Sequence, residues 1–152
     1  MAVESQQRFY QPVIRLYIIQ ISAFIAVWLG SYYPDLDILL SLFYILIIGM
    51  EIIAIKNIGF KEKLKVLIFW QGPGAILSLM VLFQSIYLIS GDIIFIMEFW
   101  NTPVLPIYSL IPSINGQPLY YNLLLATPLI MTIYFFALTG LKKTKPVNLP
   151  VE

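Results

Sequence analysis

The chain has 152 residues, 60% of them hydrophobic and 11% charged, with no cysteine, no histidine and a net charge of +1. Soluble domains carry about 25% charged residues, so this chain lacks the charge to coat a water-facing surface. The missing residue types exclude disulfides, thiolate chemistry and zinc or haem sites built on Cys or His. The net charge itself says nothing about nucleic acid; no nucleic-acid partner, cofactor or metal is expected.

A helix crosses the hydrocarbon core in ~20 apolar residues. Four blocks of that length nearly exhaust the chain, and its mean hydropathy is +0.87. Residues 1–12 are polar and read as a short lead. The first block, 13–30, follows. A cleaved signal peptide is the rival reading, but Arg15 lies inside the block and no small-x-small site precedes Ser31. Ser22, Ala26 and Gly30 recur every fourth position, a spacing that lets membrane helices approach closely, and Arg15 falls on the same face.

Residues 31–37 read as a tight turn. Pro34 suits a helix start, Asp35 is an expected N-cap, and Tyr32 and Tyr33 suit the headgroup region. The second block, 38–58, carries Gly49 and a single acid, Glu51, with Lys56 near its end. A short basic loop follows, with Lys56, Lys61, Lys63 and Lys65 against Glu62.

The third block, 66–90, is interrupted by Gln71 and then Gly72-Pro73-Gly74. Proline lacks an N–H and clashes with the carbonyl four residues earlier, so a kink is expected here. The alternative is an interfacial helix over 60–70 with the span beginning at Pro73. Residues 91–119 are too apolar for a free loop, yet Pro103, Pro106, Pro112 and Pro118 rule out one regular helix, and Asn115-Gly116 marks a turn. They read as an apolar, proline-rich outer loop that lies on the membrane, caps the bundle or meets a partner. The fourth block, 120–141, contains Pro128, and Lys142, Lys143 and Lys145 follow it.

Four spans place both termini on the side of the Lys61 loop, and every basic residue then shares that side. The far side has only Asp35, Asp37, Asp92 and Glu98. The positive-inside rule makes the basic side, with both termini, cytoplasmic. The four outer carboxylates match no calcium motif.

At about 1.5 Å per residue, Glu51, Gln71 and Tyr134 each lie ~10 Å inside the basic edge, and Arg15 can reach the same layer. Helical periodicity groups Ser41, Tyr44, Ile48 and Glu51 on one face of the second helix. It groups Gln71, Gly74, Ala75, Ser78 and Ser85 on the third, and Thr127, Tyr134 and Ala137 on the fourth. Gln20 has a suitable depth but lies opposite the Ser22 face, and so falls outside this cluster. A carboxylic acid in hydrocarbon costs about 2.5–3.5 kcal/mol on insertion scales, so Glu51 must be paired, neutral or facing water. One use of the Arg15, Glu51, Gln71 and Tyr134 cluster is a proton- or cation-binding pocket; the plainer one is an Arg15–Glu51 pair that fixes helix packing. Trp28, Trp70 and Trp100 read as interface anchors and packing residues.

The expectation is therefore an all-α, single-domain protein of the cell membrane with four transmembrane helices (13–30, 38–58, 66–90 and 120–141). A non-enzymatic subunit or assembly partner of a larger membrane complex fits it best, associating with other subunits or with itself. The alternatives are a small oligomeric transporter or channel with Glu51 as its coupling residue, and a membrane enzyme acting on a lipid-embedded substrate.

Overall fold

In a computed structural model of the chain, residues 2–87, 92–111 and 119–140 are described, with side chains over 10–83, 92–111 and 119–140. The expectations that fall on Arg8, Ser85, Pro112, Asn115, Gly116, Pro118 and the lysines at 142, 143 and 145 lie outside the described side chains. Every regular element among the described residues is helical. They are α1 (Ala2–Gly30), α2 (Leu36–Ala54, continued by a 3-10 turn over Ile55–Asn57), α3 (Phe60–Tyr87), α4 (Asp92–Asn101), α5 (Leu105–Ser109) and α6 (Tyr120–Gly140).

Four of these helices are long and apolar enough to cross a membrane: Tyr10–Gly30, Leu36–Asn57, Phe60–Phe83 and Tyr120–Gly140. Their outward faces agree with that composition. Ile14, Ile18, Ile21 and Ile25 of α1 are exposed, as are Leu42, Phe43, Leu46 and Met50 of α2. Apolar surface this continuous is absent from soluble monomers. The inward faces meet in a core centred on Leu16, Ile48, Ile52, Val66, Trp70 and Phe135, each at most 1% exposed.

Neighbouring long helices run antiparallel, and the described lysines and aspartates separate between the two ends of the bundle. The lysine end holds Lys56, Lys61, Lys63 and Lys65; the aspartate end holds Asp35, Asp37 and Asp92. α1 packs most extensively on α2, and α3 on α6. At the aspartate end the α1–α2 connection closes tightly, because Gly30 has no Cβ to meet Leu40 Cδ1, which would stand 2.7 Å away. Asp35 makes no side-chain cap, contrary to expectation; it adopts φ 62°, ψ −5° and turns the chain into α2. Aspartate tolerates this left-handed region better than most residues, and the carboxylate that meets the helix start is Asp37, accepting from the Ile38 N–H at 2.9 Å.

Two element boundaries differ from the sequence reading. α1 begins at Ala2 because residues such as Glu4, Gln6, Gln7 and Arg8 are good helix formers and continue the helix outside the apolar block. α3 runs unbroken from Phe60 to Tyr87 with Pro73 inside it, so residues 60–70 are not a separate interfacial helix.

The largest correction concerns the expected outer loop over 91–119. Residues 92–109 form α4 and α5, which pack against the long helices, α4 on α3 and α6 and α5 on α2 and α6, with one face of α4 left exposed. α4 leaves the aspartate end beside Trp28 and Phe24, and its last turn reaches Tyr17 and Gln20, near the middle of α1. α5 returns toward Ser31 and Tyr120. Ten residues of helix span about 15 Å, half a hydrocarbon core, so this hairpin enters to half-height and turns back. The prolines permit it: Pro103 lies in the turn and Pro106 in the first turn of α5, where a missing N–H costs little.

Candidate functional site

A helix that ends at half-height in an apolar bundle leaves its final carbonyls without water, and each must find a donor. The end of α4 meets this demand completely. Asn101 Nδ2 donates to Met97 O at 2.9 Å and Thr102 Oγ1 to Glu98 O at 3.1 Å. The Thr102 N–H donates to Phe99 O at 3.3 Å and the Val104 N–H to Asn101 O at 2.9 Å. The remaining carbonyl, Trp100 O, accepts from Gln20 Nε2 of α1 at 2.9 Å. Gln20 is thus the outside cap of the half-helix, and its own Oε1 accepts from the Tyr44 hydroxyl of α2.

Around this junction the bundle is polar. Gln71 of α3 and Thr127 of α6 join Gln20, Tyr44 and Asn101 around a cavity of about 10 Å³. Such a space holds about one water. Thr127 Oγ1 stands 3.0 Å from Leu123 O and 3.1 Å from the Tyr108 hydroxyl of α5, which ties the returning helix to α6.

Arg15 and Glu51 come together at 3.3 Å near the lysine end, with the Arg15 side chain 63% exposed and that of Glu51 18%. The other two members of the expected cluster make contacts of their own. Gln71 faces the half-height cavity, and the Tyr134 hydroxyl donates to Ile45 O at 3.1 Å over Gly49. Ser22 is exposed, Ala26 half-buried, and Gly30 alone of that set packs tightly. The packing face of α1 is instead Val13, Leu16, Gln20, Ala23, Val27 and Gly30. On α2, Ser41, Tyr44 and Ile48 are buried together as their spacing suggests.

At Pro73 the helix loses the donor for Phe69 O, four residues back. Tyr17 of α1 supplies the replacement, its hydroxyl 2.6 Å from that carbonyl. Gly74 then leaves room for Trp100, whose Nε1 would stand 3.3 Å from a Cβ there, whereas Gly72 faces open space.

That open space is a groove of about 600 Å³ between α3 and α6, walled by Gln71, Gly72, Ala75 and Ser78 on one side and by Pro128 and Thr132 on the other. Ser78 is turned toward Met97, and the Thr132 hydroxyl bonds Pro128 O at 2.7 Å. The Gln71 amide makes no hydrogen bond to another described residue.

No family model, curated protein or solved structure matches this chain. Fold and site together define a class: an all-helical membrane protein with four helices of spanning length and a helical hairpin that ends in a polar junction at half-height.

Proposed function

We propose that the protein is a non-enzymatic, multi-pass subunit of the cell membrane, with both termini cytoplasmic, that assembles through the α3–α6 groove with a transmembrane helix of another membrane protein. The observation that carries this is the Gln71 amide. It opens onto a groove whose near wall is Gly72 and Ala75, without a hydrogen-bond partner among the described residues. Small residues let a second helix approach its backbone closely, and an amide in hydrocarbon gains from a partner across the interface. The charge distribution supports the orientation, since the described lysines stand at one end and the aspartates at the other.

A photoreactive phenylalanine analogue at position 72 tests the assembly in native membranes. The expected result is a discrete protein adduct that disappears with Gln71→Leu. Adducts to lipid alone would overturn the proposal, and an adduct to a second copy of this chain would replace the partner by self-association.

One observation favours a second reading, a small oligomeric transporter or channel. Transporters place binding sites where discontinuous helices end near the bilayer midplane, as α4 does here beside a polar cavity. In that reading Glu51 is the coupling acid. Glu51→Gln protein, reconstituted in liposomes, would then fold and lose proton- or cation-coupled flux.

A further inference from the structure

Near the aspartate end, a cleft of about 540 Å³ is lined by residues of α1 and α4. Four aromatic rings line it, Phe24 and Trp28 from α1 and Phe95 and Phe99 from α4, with Thr102 and Leu105 at its inner end. The Phe24 and Phe99 rings meet at 4.2 Å between centroids, tilted by 47°. Among these rings lies one carboxylate, Glu98, half-buried and without an ion-pair partner among the described residues. The sequence explains why: no Lys, Arg or His occurs between Lys65 and Lys142.

An aromatic belt at a membrane interface accounts for Trp28, but it does not account for an unpaired acid set among four rings. A carboxylate half-buried among aromatic rings is favoured by a cation beside it. We propose that the cleft binds a lipophilic organic cation of the quaternary ammonium class, with Glu98 as the counter-ion and the rings as its cage. The chemistry of the lining selects this class. A bare metal ion needs several oxygen ligands, and among the described residues no three acids come together. A primary ammonium needs several acceptors, and beside the Glu98 carboxylate the side chains of the lining offer only the Thr102 hydroxyl oxygen. A quaternary ammonium has no N–H to satisfy and is held by aromatic faces and one negative charge.

The cleft is also at the right level. Trp28 and Phe24 lie about 3 and 9 Å from the end of α1 at 1.5 Å per residue. A cation there sits at the headgroup boundary with its apolar tail beside the exposed faces of Phe95 and Phe99. Two sources carry this chemistry, the choline headgroup of a phospholipid and a free amphiphilic quaternary ammonium. The inference stands on the α1–α4 cleft and is independent of the α3–α6 assembly.

The test uses the full-length chain in nanodiscs of phosphatidylethanolamine and phosphatidylglycerol, with dodecyltrimethylammonium as probe. Its control is the uncharged carbon isostere that ends in a tert-butyl group. Saturable binding of the ammonium and none of the isostere is expected. Glu98→Gln should weaken it at least ~10-fold and Phe99→Leu several-fold, with both variants eluting and melting like the parent. Equal binding of the isostere, or undiminished binding by Glu98→Gln, would overturn the proposal. Repeating the titration in phosphatidylcholine nanodiscs separates the sources: loss of probe binding there assigns the site to the lipid headgroup, and unchanged binding assigns it to a free cation.

Discussion

Gly49 shows how little space separates α2 from α6. A Cβ at this position would run into the Tyr134 hydroxyl, which is bonded to Ile45 O one turn away. Gly49→Ala should therefore lower stability by about 1–3 kcal/mol, through overpacking and the lost bond. Tyr134→Phe removes both the hydroxyl and the obstruction, so the double variant should be more stable than the sum of the two single losses. Thermal unfolding of the four proteins in one detergent gives the answer, and strict additivity would count against the contact. The Arg15–Glu51 pair makes a directional prediction. Arg15→Ala leaves an acid at the membrane without its cation, whereas Glu51→Gln leaves an amide that still bonds. Arg15→Ala should be the more destabilising by about 1 kcal/mol or more, since the pair is only partly buried; the reverse order would show that the pair does not hold the helices. Residue identity revealed this pair, because an acid in hydrocarbon demands a partner. It did not reveal Gln20. Choosing the face of α1 by its small residues turned attention to Ser22, and hydrophobicity could not correct the choice. In lipid the outward face is as apolar as the inward one, so amphipathic contrast is lost.

At the level of whole elements, α3 and α4 solve the same problem by different means. Each has main-chain carbonyls at membrane depth that its own helix cannot satisfy, and α1 provides the donors, Tyr17 for Phe69 O and Gln20 for Trp100 O. Tyr17→Phe should lower stability by about 0.5–1.5 kcal/mol. Pro73→Ala restores the N–H, so in that background Tyr17→Phe should cost almost nothing. Equal losses in both backgrounds would mean that the hydroxyl serves no such purpose. The long helices were legible from four blocks of spanning length. Their ends were less so, because nothing in an apolar count marks where a helix stops. The hairpin was hidden for a better reason. Four prolines in 29 residues say loop, and only the partners of Trp100, which are Gln20 and Tyr17 of α1 and distant in sequence, show that the segment packs on the bundle.

For the molecule as a whole, the separation of charges makes topology testable in a chain that has no native cysteine. Tyr32→Cys and Lys61→Cys both place a thiol at an exposed position, at opposite ends of the bundle. An impermeant maleimide should label intact cells at position 32 and reach position 61 only after lysis; the opposite pattern would invert the orientation. The half-height hairpin has its own consequence, which concerns the order of events during synthesis. α4 is too short to be recognised as a span on its own, and its seat is built from α3 and α6, with Gln20, Tyr17 and Phe24 of α1 touching it. Residues 92–111 must therefore wait outside the bilayer until the last helix has been threaded, and only then slide in among the others. A chain that stops at residue 119 should never complete that step, and its hairpin should be cut rapidly by protease from the aspartate side. The full-length chain should pass through the same vulnerable stage briefly, as a pulse of protease sensitivity that closes once residue 140 has entered the membrane.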